Sequence, residues 1–312
     1  MALCVFDLDN TLGDFGAIDY FGMIFDPKCL LGYPHITPDR AEILKNEIES
    51  YDEDTKKSLR VLRDSFEQAM DEDGFNEYIL RPKLKDILTP LVKEYKKGNI
   101  NGFIIYSNNA NMYALEYAGR AIESMFNEPN LFIKYIDRLN NIRNDYDKND
   151  PSGYRVKTVA TIKKLLPEIE NKKILFVDDI IHDDFVKNDV TYLHVLRFIS
   201  NVNDRILDDI WKEFKLVFDS MPEFHNTFYN LYHIKNYLHY TSIDEIRRAY
   251  IRYSSTHQNT EEVFHDNLST IKSVIAQFTN SLNIKKGGKR KSRRFKSTRK
   301  RAHKKKYAID DN

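Results

Sequence analysis

Five short apolar runs, separated by stretches of helical periodicity, constrain the fold of this chain more than any other feature. The runs cover residues 3–6, 102–106, 131–136, 173–177 and 190–196. Their length and near-continuous apolar character are typical of strands buried on both faces of a sheet. Amphipathic helices are predicted between them at 83–97, 112–125 and 155–166. This alternation predicts an α/β fold, with a Rossmann-like, mostly parallel sheet that is covered by helices on both faces.

Polar residues follow three of these strands directly. They are Asp7, Asp9 and Thr11 after the first strand, Ser107 and Asn108 after the second, and Asp178, Asp179 and Asp183 after the strand at 173–177. Ligands of open α/β sheets bind beyond the carboxyl ends of the strands, so these side chains are expected to converge. Carboxylates held that close repel each other unless a cation lies between them. The sequence therefore predicts a polar, cation-dependent site.

Each of these motifs also has a purely structural interpretation. The Asp-Leu-Asp-Asn-Thr segment that begins at Asp7 could be a turn, with Thr11 as a helix cap. Ser107 could cap the helix that follows it, and Asp178 and Asp179 could cap a helix that starts near Asp183. The occurrence of all three motifs after apolar strands favours the catalytic interpretation.

The order of these motifs resembles that of the haloacid dehalogenase superfamily across residues 2–198. Motif I matches Asp7, Asp9 and Thr11, motif II matches Ser107, and motif IV matches Asp179 with Asp178 before it and Asp183 four positions after it. Lys157 is the preferred motif III lysine because it is predicted to start the helix before the strand at 173–177. Arg155, Lys163 and Lys164 are its nearby alternatives.

The resemblance implies a Mg²⁺-dependent phosphomonoesterase with an aspartyl-phosphate intermediate. It implies that Asp7 is the nucleophile and Asp9 the general acid and base, an acid that the dehalogenases of the superfamily lack. Asp7, the main-chain carbonyl of Asp9 and Asp179 would bind Mg²⁺, with Asp178 and Asp183 in support. The expected phosphate-binding groups are Ser107 and Lys157, which are also counted as catalytic, together with Thr11 and Asn108.

The resemblance is closest to the magnesium-dependent phosphatases and the small carboxy-terminal-domain protein phosphatases of the superfamily. Residues 39–73 depart from it, since they predict a helical insertion, or cap, larger than those branches carry at this place. Together with a flap that begins at residue 13, the cap and flap cover about 13–80. The substrate class therefore stays open among a phosphoprotein, a nucleotide and a phosphorylated nucleic-acid end.

Three regions are distinguished: a phosphatase-like domain at 1–200, an all-helical region at 201–284 and a disordered basic tail at 285–312. Apolar stripes at helical spacing between 206 and 221 and between 263 and 282 define the helical region, which either packs on the sheet or forms its own module. The aromatic residues at 224–240 are better explained as core than as a base-stacking surface.

The net charge of +1 hides a strong asymmetry. Residues 285–306 carry 14 Lys and Arg and no acid, which leaves 34 basic and 45 acidic residues in 1–284. Such a segment binds nucleic acid or another polyanion in a salt-dependent way, but it could also direct nuclear import, lie against the acidic body or only confer solubility. Its opening also resembles basic tails on proteins of large DNA viruses. The alternative function is therefore a nucleic-acid-binding or virion packaging protein with a catalytically silent scaffold.

The chain has only two cysteines, Cys4 and Cys29, and Cys4 lies within the first predicted strand. No disulfide framework is expected, which favours a reducing, intracellular compartment, cytoplasmic or nuclear, and a virion-associated location for a viral protein. The first strand starts so early that no signal peptide is expected, and no apolar run approaches the length of a membrane helix. The oligomeric state is left open.

Overall fold

Five parallel strands form the central sheet of the computed structural model, which describes residues 1–16, 18–19, 22, 26–32, 37–72, 75–149, 155–169, 171–188, 190–200, 212, 215–221 and 261–283. The strands are β1 (Ala2–Phe6), β2 (Ile100–Tyr106), β3 (Phe132–Ile136), β6 (Lys173–Asp178) and β7 (Thr191–His194). Their order across the sheet is β3-β2-β1-β6-β7, so β1 is central and pairs in parallel with both β2 and β6. A separate two-stranded antiparallel ribbon is formed by β4 (Lys148–Asn149) and β5 (Arg155–Val156).

Nine helices flank the strands in the described part of the chain. They are α1 (Pro38–Glu49), α2 (Glu53–Glu72), α3 (Asn76–Ile79), α4 (Leu84–Lys96), α5 (Met112–Phe126), α6 (Asn141–Tyr146), α7 (Val159–Leu165), α8 (Asp183–Lys187) and α9 (Glu261–Asn283). Short 3₁₀ helices cover Pro27–Gly32 and Pro167–Ile169. The predicted α/β fold with its mostly parallel sheet is thus confirmed.

Both faces of the sheet are buried, which explains why its central strand β1 is apolar at every position. Alternate residues of β1 point to opposite faces, so that Cys4 and Phe6 enter one core while Leu3 and Val5 enter the other. Helices α4, α5 and α9 cover the first face, and α7 and α8 cover the second. The sheet is therefore the middle layer of a three-layer fold.

The carboxy-terminal helix α9 packs on the sheet. Its residues Ile271, Ile275 and Phe278 are buried in the same core as α4 and the Phe6 face of β1. At its end, the Lys173 Nζ atom donates to the Ser281 carbonyl oxygen at 3.1 Å. Of the two arrangements that the sequence leaves open for this helix, the structure has the first, in which it packs on the sheet.

The insertion between β1 and β2 is helical, as expected for residues 39–73, and its helices join the same core. Leu44 of α1 and Phe66 of α2 are fully buried there. The 3₁₀ helix Pro27–Gly32, which precedes α1, packs against the turn that follows β2. Gly32 lies so close to Ala110 that a Cβ atom added to Gly32 would be 2.2 Å from the Ala110 Cβ atom. The insertion therefore borders the carboxyl edge of the sheet.

Two local predictions are wrong. The predicted helix at 155–166 begins only at Val159, with Thr158 as its N-cap, so Lys157 precedes the helix instead of starting it. The loop expected at 139–153 contains α6 and β4, a short helix and strand held by buried side chains. These elements are stabilised by contacts with residues that are distant in the sequence, and the periodicity of a short segment does not reveal such contacts.

Several predictions fall outside the described residues. They concern most of the helical stripe at 206–221, the aromatic segment 224–240 and the basic tail 285–312. Within the described part of the chain, no helix has the length and apolar character needed to cross a bilayer.

Candidate active site

Asp7, Asp178 and Asp179 meet at the carboxyl edge of the sheet because β1 and β6 are parallel and in register. Phe6, the last residue of β1, pairs with Ile105 of β2 and Val177 of β6. The residues that follow these strands therefore emerge side by side. The backbone N–H of Asp7 donates to the Val177 carbonyl oxygen at 2.9 Å, which fixes the first residue beyond β1.

Lys157 lies at the centre of this cluster. Its Nζ atom is 2.5 Å from Asp7 Oδ1 and 2.7 Å from Asp178 Oδ2, and the side chain is only 2% exposed. Burial by itself would lower the pKa of Lys157, but the carboxylates of Asp178 and Asp7 outweigh it and raise the pKa above its usual value. Lys157 is therefore an ammonium held between two carboxylates at neutral pH.

A third carboxylate completes a cluster able to hold a cation. One carboxylate oxygen from each of Asp7, Asp178 and Asp179 lies within 4.8 Å of the other two. Burial and the neighbouring Asp7 and Asp178 raise the pKa of Asp179 to about 7. Burial also raises the pKa of Asp7, although Lys157 opposes this. The cluster thus carries more negative charge than Lys157 balances.

Asp178 and Asp179 are adjacent in sequence but differ in environment. The Asp178 side chain is fully buried, and its oxygens accept from Lys157 Nζ and from the backbone N–H of Ile180 at 2.8 Å. Burial would raise the pKa of Asp178, but Lys157 and His182 lower it below its usual value. Because Asp178 is committed to these partners, Asp179 is the more available metal ligand of the two.

Asp9 lies beside this cluster, and its pKa is raised as well. Its Oδ2 atom accepts from the Asn109 side-chain amide at 3.0 Å. Burial and the nearby Asp19 and Asp7 raise the pKa of Asp9 well above its usual value, despite that hydrogen bond. A carboxyl group of this kind keeps its proton closer to neutral pH and can donate it.

Thr11 connects the loop after β1 to the loop after β6. Its hydroxyl donates to Asp179 Oδ1 at 3.3 Å and accepts from the Asp179 backbone N–H at 3.0 Å. The buried Arg81 holds the same loop, since its guanidinium donates to the carbonyl oxygens of Asn10, Thr11 and Leu196. This geometry makes Thr11 a positioning residue for Asp179.

Ser107 and Asn108 form the turn beyond β2. The Ser107 Oγ atom accepts from the Asn109 backbone N–H at 3.1 Å and is not the cap of α5, whose N-cap is Asn111. The Asn108 amide is committed within the protein, because Oδ1 accepts from Arg143 at 2.5 Å and Nδ2 donates to the Arg155 carbonyl oxygen at 2.9 Å. The Asn108 side chain thus holds the turn in place.

The remaining supporting residue, Asp183, lies apart from this cluster. Its side chain is 78% exposed and forms an ion pair with Lys187 at 3.3 Å. The helix that begins there, α8, has His182 as its N-cap and no side-chain capping bond, so Asp178 and Asp179 do not cap it.

Sequence reasoning missed three parts of the site. His182 is not among the predicted site residues, yet it is buried with Nε2 3.3 Å from Asp178 Oδ2. Asn109 contacts Asp9, and a buried ion pair joins Arg143 to Asp147 beneath the turn. The spacing of four between Arg143 and Asp147 is a usable signal for a helical ion pair, but nothing in the sequence marks it as buried.

A scan against protein families finds no match for this chain, and neither do searches of the curated proteins and of the solved structures. Buried carboxylates, a buried ammonium and a serine at the end of parallel strands can bind a divalent cation and an anionic group next to it.

Proposed function

We propose that the protein is a Mg²⁺-dependent phosphomonoesterase of the kind that its resemblance to the haloacid dehalogenase superfamily implies. The observation that carries this proposal is the contact of Lys157 Nζ with both Asp7 and Asp178, beside Asp179. These residues come from separate parts of the chain, and a helix N-cap or a turn requires no such arrangement. A buried lysine among three carboxylates is costly to maintain for stability alone.

The donor set fits Mg²⁺. Magnesium is a hard cation that binds oxygen ligands, usually through one or two carboxylates. Burial raises the pKa values of Asp7 and Asp179, neighbouring carboxylates add to this, and a bound cation would favour the ionised forms of both side chains. Asp7, Asp179 and the main-chain carbonyl of Asp9 would hold the ion, which supplies charge neutralisation for an anionic phosphate next to a carboxylate.

In the first step, an Oδ atom of Asp7 forms a bond to phosphorus as the bond from phosphorus to the leaving oxygen breaks. Asp9 gives its proton to that oxygen, for which its raised pKa suits it. In the second step, water attacks the phosphorus of the aspartyl-phosphate, Asp9 takes the proton of the water, and the Asp7 carboxylate leaves. Lys157 and Ser107 would donate hydrogen bonds to the phosphoryl oxygens.

The test is release of inorganic phosphate from p-nitrophenyl phosphate by the full chain. Turnover should require Mg²⁺ and stop when EDTA is added. Asp7→Asn should lower kcat at least about a thousandfold, because it removes the attacking carboxylate. The matched control is Asp86→Asn, which neutralises an exposed carboxylate of α4 and should leave kcat unchanged. Turnover that survives in Asp7→Asn would exclude Asp7 as the nucleophile.

A further inference from the structure

A fully buried ion pair lies beneath the turn that would bind phosphate. Arg143 and Asp147 stand four residues apart at the end of α6, with Arg143 Nε 2.6 Å from Asp147 Oδ2 and both side chains 0% exposed. Burying two charges costs several kcal/mol per ion unless further hydrogen bonds satisfy their remaining donors and acceptors. The hydrogen-bond partners of Arg143 and Asp147 therefore indicate which segments the ion pair holds in place.

The other donors of Arg143 all point to the turn after β2 or to the end of β3. The Nη1 atom donates to the Ser107 carbonyl oxygen at 2.5 Å and to the Asp137 carbonyl oxygen at 2.9 Å. The Nη2 atom donates to Asn108 Oδ1 at 2.5 Å. Because a guanidinium is planar and rigid, these bonds fix the orientation of the Ser107–Asn108 turn.

Asp147 makes the corresponding contacts on the side of Lys157. Its carboxylate accepts from the Tyr106 hydroxyl at 2.7 Å, from Thr161 Oγ1 at 2.7 Å and from Thr158 Oγ1 at 3.3 Å. Thr158 directly follows Lys157 and caps α7. The Asp147 carboxylate therefore fixes the position of the backbone that follows Lys157.

The Asn108 side chain links the turn after β2 to the segment that carries Lys157. Its amide oxygen accepts from Arg143, and its amide nitrogen donates to the carbonyl oxygen of Arg155, two residues before Lys157. The turn that carries Ser107 and the segment that carries Lys157 are thus joined through one side chain as well as through the ion pair.

We propose that Arg143 and Asp147 are positioning residues that fix Ser107 and Lys157 relative to each other. This inference rests on the proposed function, in which those two residues bind the oxygens of the transferred phosphoryl group. The hydrogen bonds of Arg143 and Asp147 go to the Ser107–Asn108 turn and to the segment around Thr158 rather than to Asp7, so the pair would act through these two segments. Their loss therefore weakens the binding of phosphate as well as its transfer.

Arg143→Lys is the informative variant. It keeps a cation opposite Asp147, but one ammonium cannot replace the planar fork that reaches the Ser107 carbonyl and Asn108. We expect kcat/KM for p-nitrophenyl phosphate to fall about 100-fold, the cost of a small misplacement of reacting groups. KM and the inhibition constant of inorganic phosphate should both rise.

A partly buried network at the amino edge of the sheet provides the control. Glu94 is buried at the end of α4 and accepts from the exposed Lys97 Nζ and from the Asn99 side-chain amide, each at 2.7 Å. Glu94→Gln weakens this network, which lies just before the amino end of β2 and away from the candidate active site. It should lower the urea midpoint without changing KM for p-nitrophenyl phosphate.

A second variant covers the case in which Arg143→Lys does not fold. The double change Arg143→Gln with Asp147→Asn removes both charges and leaves no unpaired buried ion. It should show the same rise in KM and in the inhibition constant of phosphate.

The outcomes are distinct. A purely structural pair would lower apparent kcat with the folded fraction and leave KM and phosphate inhibition unchanged in both variants, which would overturn the positioning role alone. A wild-type chain that releases no phosphate from p-nitrophenyl phosphate with Mg²⁺ would overturn the proposed function, and the positioning role with it.

Discussion

The carboxylates of this site differ in protonation because their surroundings differ. Asp178 keeps a lowered pKa through Lys157 and His182, whereas its neighbour Asp179 has a pKa of about 7. Burial and the charges of Asp19 and Asp7 also raise the pKa of Asp9. The arrangement therefore separates Asp178, whose ionised form is favoured, from Asp9 and Asp179, whose protonated forms are favoured.

The raised pKa of Asp179 predicts a pH dependence of stability in the absence of metal. Between its usual value of 3.8 and about 7, the folded protein binds more protons at Asp179 than the unfolded chain does. In EDTA, this group should therefore lower the free energy of unfolding as the pH rises through that window. Asp179→Asn should weaken this dependence, as measured by urea unfolding at about pH 5 and about pH 8.

The effect of Mg²⁺ on the free energy of unfolding is a second test of Asp179. Adding Mg²⁺ near pH 8 should stabilise the wild type more than Asp179→Asn, because a ligand that binds only the folded state shifts its stability. Asp86→Asn, with its exposed carboxylate, serves as the control. Equal stabilisation of wild type and Asp179→Asn would remove Asp179 from the metal site.

At the scale of elements, α9 completes the helical layer on one face of the sheet. Its buried residues follow the spacing of one helical face, and they pack against α4 and the Phe6 face of β1. Residues far apart in sequence thus complete the core beneath the carboxyl edge of the sheet. The stability of the sheet should therefore depend on this helix.

Ile275→Ala tests that dependence. Ile275 is 2% exposed, so its truncation leaves a cavity and should lower the free energy of unfolding by about 2–5 kcal/mol. Urea denaturation measures the loss. Lys272→Ala, on the exposed side of the same helix, should have little effect. A similarly small effect of Ile275→Ala would mean that α9 is detached from the sheet in solution.

The sequence predicts β1, β2 and β3 well because each of their apolar runs stops at a polar residue where the strand ends. It predicts Asp7, Asp178 and Asp179 as neighbours because parallel strands share one carboxyl edge. It does not predict α6, which is too short to show periodicity and is held in place by the hydrogen bonds that the buried Arg143 and Asp147 form with distant residues. The surface on which α9 packs is equally hidden, because an apolar stripe predicts burial but not the partner.

On the scale of the whole molecule, α9 ends on the side of the sheet opposite the candidate active site. Its last residues contact Asn99, just before β2, and Lys173, the first residue of β6. Both lie at the amino edge of the sheet, whereas Asp7 and Ser107 lie at the carboxyl edge. The basic segment 285–306 follows α9 directly in the sequence.

Deletion of residues 285–312 should separate two properties of the protein. Hydrolysis of p-nitrophenyl phosphate should be unchanged, because the deletion leaves the residues of the catalytic edge in place. Binding to a random-sequence oligonucleotide should be lost, and in the full chain it should weaken steeply with salt. A fall in turnover on p-nitrophenyl phosphate itself would contradict this separation.

Cys4 and Cys29, the two thiols of the chain, are both buried. Cys4 lies in the central strand β1, where burial raises its pKa, and it reaches solvent only when the sheet opens. Cys29 lies in the 3₁₀ segment that borders the insertion, so it can be uncovered by a smaller, local opening. A thiol-reactive reagent followed by mass spectrometry can therefore time these two kinds of opening separately, without any engineered label.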